Sequence, residues 1–176
     1  PDVPFYEQVD QTMPNYLYIN NGDNTFTNEA IVLDANNSGA TLAVSMTDYD
    51  GDHDIDIYVA NDFGGGDNPA NAMLENQYPI NLFEDVAPAI GMDAEINAMG
   101  IAIGDFDEDL NFDYYISNMA DNFMYQNNGS NIFTEIASVI NIACTDYVSW
   151  GDFFYDESSQ VLLQKNSGLH LTQGFT

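Results

Sequence analysis

Asp48-Tyr-Asp-Gly-Asp-His-Asp-Ile-Asp56 and Asp105-Phe-Asp-Glu-Asp-Leu-Asn-Phe-Asp113 are two versions of one nine-residue loop. Each places carboxylates at positions 1, 3, 5 and 9, with an Asp or Asn at position 7. Like charges about 4 Å apart repel by roughly 1 kcal/mol in water and about 4 kcal/mol at an effective dielectric near 20. Four such groups in one loop require a cation among them, and an all-oxygen donor set of this density suits Ca2+. An EF-hand is the obvious rival, but it needs Gly at position 6 and a bidentate Glu at position 12, between helices. Here position 6 is His53 or Leu110, and position 12 is Val59 or Ile116.

The flanks of both loops alternate with the period of a strand. Leu42-Ala-Val-Ser-Met-Thr leads into the first loop, Met99-Gly-Ile-Ala-Ile-Gly into the second, and a third copy reads Asp146-Tyr-Val-Ser-Trp-Gly-Asp152. Gly100, Ala102 and Gly104 leave one face bare, which suits close approach of a neighbouring backbone. After the loops come Ile-Tyr-Val-Ala-Asn61 and Tyr-Tyr-Ile-Ser-Asn118, matching position for position. Hairpin signatures follow the same order: Asn15-Tyr-Leu-Tyr-Ile-Asn-Asn-Gly22 before Phe26, and Asn122-Phe-Met-Tyr-Gln-Asn-Asn-Gly129 before Phe133. Their Asn-Gly pairs are expected to supply the positive φ that a hairpin turn needs. A weaker copy runs from Asn71 to Glu84, and a last one is read at Val161-Leu-Leu-Gln-Lys-Asn-Ser-Gly168. Approximate units are 1–70, 71–121 and 122–176, the last without the acidic loop, so no metal is expected there.

These residues carry a resemblance. Asp-x-Asp-Gly-Asp-x-Asp-Ile-Asp-Ile-Tyr-Val-Ala-Asn, with Asn-x-Leu-Tyr-x-Asn-Asn-Gly-x-x-x-Phe-Thr, resembles the FG-GAP/VCBS repeats, in the form found in proteins of the cartilage acidic protein and ASPIC/UnbV type. The resemblance implies four-stranded antiparallel blades of a β-propeller type, related to integrin α-subunit heads, with Ca2+ in the loop between the first two strands. It implies side-chain ligands Asp48, Asp50, Asp52 and Asp56 with the main chain of Asp54, and Asp105, Asp107, Asp109 and Asp113 with the main chain of Asn111. The expected architecture is all-β: about three blades, the last abbreviated, as an incomplete propeller or an open stack. Three units are too few to close a ring that takes four to eight blades.

Composition narrows the partners. One basic residue, Lys165, stands against 29 acidic ones, for a formal net charge of −28. That field excludes nucleic acid and anionic membrane surfaces as natural partners. No apolar run reaches the roughly 18 residues of a membrane-spanning helix. Hydrophobic content of 45%, with 11 Tyr and 11 Phe, indicates a folded chain and not an acidic tail. The opening Pro1-Asp-Val-Pro4 is what a processed form or a fragment would show. Cys144 is expected to be a small buried hydrophobe, and His53, with no second His nearby, an exposed loop residue. Asn36 and Asn128 begin glycosylation sequons of low information. Most aromatic residues follow the strand period and belong to the core, while Tyr58 and Tyr115 are candidates to face a partner.

No nucleophile–base pair, phosphate loop or cofactor motif is present in the sequence, so the expectation is a non-catalytic extracellular or cell-surface module. Two readings stand. One is a calcium-dependent structural or adhesive subunit that self-associates through exposed strand edges, head to tail, into a filament. The other is a fragment of a closed seven-bladed propeller that recognises a protein or glycan.

Overall fold

The computed structural model describes residues 13–65, 68–145, 147–155 and 161–170. The opening Pro1–Pro4 and the segment 156–160, where the third unit was read as lacking a loop, lie outside the described residues. Strands follow one another and pair with their sequence neighbours, as β-rich segments separated by short acidic or Asn/Gly turns dictate. A hairpin of β1 (Tyr18–Asn20) and β2 (Phe26–Asn28) comes first. A four-stranded sheet follows, in the order β3 (Ala40–Thr47), β4 (Asp56–Asp62), β5 (Ala72–Asn76) and β6 (Phe83–Asp85). After the single turn of helix α1 (Ala87–Ile90) comes a second such sheet: β7 (Ala98–Gly104), β8 (Asp113–Asn118), β9 (Phe123–Asn127) and β10 (Phe133–Glu135). A pair of β11 (Tyr147–Tyr155) and β12 (Val161–His170) ends the array. All pairings between these strands are antiparallel, and no sheet among the described residues closes into a barrel. The chain is thus all-β, built of open propeller-like blades. Each four-stranded sheet straddles a boundary between the units 1–70, 71–121 and 122–176.

Two local readings differ from expectation. The last hairpin, read at residues 161–168, is one continuous strand paired with β11. With the acidic loop lost, the next segment of chain takes the second-strand place, and the pairing shifts register twice, with the extra residues on β12 between Tyr147 and Ser149 and one extra on β11 between Trp150 and Asp152. In the other hairpins, positive φ falls on Gly22 and Asn24, and on Gly129 and Asn131, but not on Asn21 or Asn128. These loops hold five residues between the pairs Asn20↔Phe26 and Asn127↔Phe133, so the left-handed positions are spread along the loop.

The core sits between the two four-stranded sheets. Tyr58, Ala60 and Met73 on one sheet meet Tyr114, Ile116, Tyr125 and Phe133 on the other, with Ile90 and Met92 from the connector. Rings of Tyr58 and Tyr114 lie edge to face at 5.5 Å, and those of Tyr114 and Phe133 at 5.7 Å. Such pairs add to burial about 0.5–1.5 kcal/mol each. Tyr58 and Tyr115, expected to face a partner, are 1% and 0% exposed. Each instead ties its blade to the connector behind it. Tyr58 Oη donates to the Met92 carbonyl at 3.3 Å and accepts from Asn71 Nδ2 at 3.1 Å. Tyr115 Oη donates to the Ile142 carbonyl at 3.0 Å and accepts from Asn122 Nδ2 at 2.8 Å. Because the hydroxyls have internal partners, the rings can be buried without leaving a polar group unpaired. Cys144 is only half-buried: Ala143 takes the buried place, and the backbone turns left-handed at Cys144 with φ 54°. The strand carrying Gly100, Ala102 and Gly104 has β11 packed against it.

Candidate metal centre

Both acidic loops leave the first strand of a sheet and return into the second, at the same corner of each blade. Their backbones match. Positions 4 and 6 are left-handed in both: Gly51 and His53 at φ 78°, Glu108 at 63° and Leu110 at 73°. Gly51 adopts this freely, whereas Glu108 and Leu110 hold it against the steric preference of side-chain-bearing residues, about 1–2 kcal/mol each. The left-handed turns aim loop N–H groups inward at position 1. Asp48 accepts from the backbone of Gly51 and His53 at 2.8 and 3.1 Å, and Asp105 from Asp109 and Leu110 at 3.0 and 2.9 Å. His53 is exposed as expected, with Nδ1 3.7 Å from Asp48 Oδ2. Leu110, at 92% exposure, points into solvent.

Position 9 anchors the loop to the sheet. Asp56 accepts from the backbone N–H of Tyr49 at 3.2 Å and of Asn76, at the end of the third strand, at 2.9 Å. Asp113 does the same with Phe106 at 2.7 Å and Asn127 at 2.8 Å. Both carboxyls are buried, at 2% and 0% exposure. Burial pushes the Asp56 carboxyl up to about 7 and that of Asp113 up to about 6; the paired N–H groups offset this only in part, and neighbouring acids add to it. Asp50 and Asp54 are also raised, first by desolvation and then by the surrounding carboxylates. Asp109 is lowered by the backbone and side chain of Asn111.

Carboxylate oxygens of Asp48, Asp50 and Asp56 lie within 4.8 Å of one another, as do those of Asp105, Asp107 and Asp109. Asp52 and Asp54 fall outside the first group, and Asp113 outside the second. Asp50 caps the N–H of Asp52, Asp52 that of Asp54, and Asp109 that of Asn111, so members of the trios and Asp52 also shape the loop from within. Asp54 Oδ1 and Asp107 Oδ1 are shielded from solvent and have no hydrogen-bond partner. Asp107 belongs to its trio and Asp54 shares a loop with the other, and a shielded carboxylate oxygen without a partner in such a cluster is one that a hard divalent cation would satisfy.

Two side chains at the site were not found from sequence. Glu75 on β5 accepts from the buried Tyr49 hydroxyl at 2.5 Å, and its charge helps to raise Asp50 and Asp54. At the equivalent place on β9, Gln126 donates Nε2 to Asp107 Oδ2 at 2.5 Å. Only the register of the third strand brings them to the loop, and no local motif marks it.

The class defined by these features is a β-blade repeat protein with one acidic loop at the first turn of each complete blade. Residues 8–59, from before the first hairpin through the first acidic loop, match the family model of the FG-GAP-like repeat. No curated protein matches the chain.

Proposed function

We propose that the protein is a non-catalytic, extracellular or cell-surface module whose two acidic loops each bind Ca2+, and that it serves as a structural or adhesive subunit associating head to tail. The observation that carries this is the pair of loops in one register, each bringing three carboxylates together and each holding a shielded, unpaired carboxylate oxygen. Asp48, Asp50 and Asp56, with Asp52 and the main chain of Asp54, would hold the first ion. Asp105, Asp107 and Asp109, with Asp113 and the main chain of Asn111, would hold the second. FG-GAP repeats commonly bind calcium, are generally non-catalytic and are typical of extracellular or surface proteins, and no helix among the described residues is long and apolar enough to cross a membrane. Ions that bind the folded loops but not the open chain convert binding energy into folding stability.

A second reading, a propeller segment that holds a protein or glycan, draws on an apolar cleft of about 500 Å3 beside Leu17, Leu33 and Phe83. Sedimentation velocity with calcium and then with chelator separates the two. The structural reading expects calcium-dependent, fast-sedimenting assemblies; uniform monomers under both conditions would contradict it.

A further inference from the structure

The third strand of each four-stranded sheet brings one polar side chain to the acidic loop, and the two sheets use opposite chemistry there. In the first it is Glu75 on β5, a carboxylate; in the second it is Gln126 on β9, a neutral amide. Each directly precedes the residue whose backbone N–H holds position 9: Asn76 for Asp56, and Asn127 for Asp113. The two places are therefore equivalent, and what differs is the charge.

Glu75 is held on both oxygens. Its Oε2 accepts from the Tyr49 hydroxyl at 2.5 Å, and its Oε1 accepts from Gln77 Nε2 at 2.7 Å. Tyr49 stands at loop position 2, between Asp48 and Asp50. Its residue is buried and its ring lies 6.2 Å from that of Phe133, which fixes the direction of the hydroxyl. Across the register Glu75 faces Glu84, and like charges directly opposite destabilise a sheet. The fold thus keeps a negative charge beside the carboxylate trio although the neighbouring strand opposes it. In the second sheet the same two places are Gln126 and Thr134, which carry no charge. Position 2 is Phe106, without a hydroxyl, and Gln126 turns its Nε2 to Asp107 Oδ2 at 2.5 Å. One oxygen of the position-three carboxylate is thereby engaged by the sheet itself. Among the described residues, no third-strand side chain donates to Asp50 in this way.

We infer that Glu75 and Gln126 set the order in which the two loops take up Ca2+: Glu75, held by Tyr49, tightens the first site, and Gln126 leaves the second weaker. This rests on the calcium-binding reading above and assigns the residues that tune it. Ligand charge and rigidity are what spread the calcium affinities of oxygen-donor loops. Glu75 lies outside the group of oxygens that gather at the first loop, so it acts on the ion through its charge and not as a ligand. The first loop fills at lower calcium than the second.

The test is calcium titration calorimetry of the 176-residue chain, one site at a time, at about 0.05 M and about 0.5 M salt. The first loop is read in an Asp105→Asn/Asp107→Asn background, and the second in an Asp48→Asn/Asp50→Asn background. Glu75→Gln keeps an oxygen for the Tyr49 hydroxyl and weakens the first site by about tenfold at the lower salt. Gln126→Glu tightens the second site by about as much. Both effects shrink at the higher salt because they act through charge, whereas a packing role would not respond. Glu95→Gln removes the same charge from the connector, where the Ile96 carbonyl meets Gly64 beyond the opposite end of β4, and leaves both sites unchanged. Each variant is checked for a calcium-free melt like that of its background; if Glu75→Gln does not fold, Gln126→Glu decides. A dissociation constant within about twofold of its background in either variant, or a shift of equal size at both salts, overturns the inference alone. Backgrounds that bind no calcium overturn it together with the reading it rests on.

Discussion

Saturating calcium raises the midpoint of thermal unfolding by about 5–10 °C for each occupied loop, and chelator reverses the rise. An ion at 100 times its dissociation constant that binds only the folded form contributes about 2.7 kcal/mol. For a chain of this size, one kcal/mol moves the midpoint by about 2–4 °C. The two loops should not contribute equally. Gly51 enters its left-handed position without strain, whereas Glu108 and Leu110 both resist theirs. Asp48→Asn with Asp50→Asn should therefore remove more of the calcium-dependent rise than Asp105→Asn with Asp107→Asn. Asn keeps one of the two oxygens with which Asp48 and Asp105 accept the loop N–H groups and loses the ligand charge, so the rise is read for each variant against its own calcium-free midpoint. A midpoint unmoved by chelator, once ion removal is verified, would count against both sites.

In calcium-free protein, stability should fall as pH rises from about 4 to 7, the reverse of ordinary acid denaturation. The folded form holds protons on Asp56 and Asp113, whose carboxyls are pushed up to about 7 and about 6, while the unfolded chain releases them near 3.8. Where the native state binds more protons, stability drops with pH. The contribution is fully present below about 4 and lost as pH passes through the folded values. At about 1.4 kcal/mol per pH unit, the loss is on the order of 2–4 kcal/mol for each residue. Calcium binding requires ionised carboxylates, so the loaded protein should lose none of this stability, and the urea midpoints with and without calcium should diverge as pH rises. Parallel curves across pH 4 to 7 would show that the buried position-nine acids are not what calcium relieves.

Much of this was legible in the sequence because two signals reinforce each other. Strand alternation around the loops and the recurrence of the Asn and Phe positions mark where strands begin and turn, and both sheets follow them. The acidic spacing also marks the loops correctly. The division of labour within them is not local information. Asp56 and Asp113 look like any other loop acid until the third strand brings the N–H groups of Asn76 and Asn127 to them. Glu75 and Gln126 reach the site by the same register. Tyr58 and Tyr115 read as alternating strand residues that could face outward. Only the connectors behind them, with the carbonyls of Met92 and Ile142, give their hydroxyls a buried partner. The third unit was misread at residues 161–168 because an Asn-Ser-Gly stretch resembles a turn, and pairing with a long β11 outweighs that local preference.

The most direct measurement of the central claim is a calcium titration by equilibrium dialysis at neutral pH. Two ions per chain are expected, with Asp48→Asn/Asp50→Asn and Asp105→Asn/Asp107→Asn each losing one and the combined variant losing both. Absence of stoichiometric binding, or an unchanged count of two in the combined variant, would contradict it.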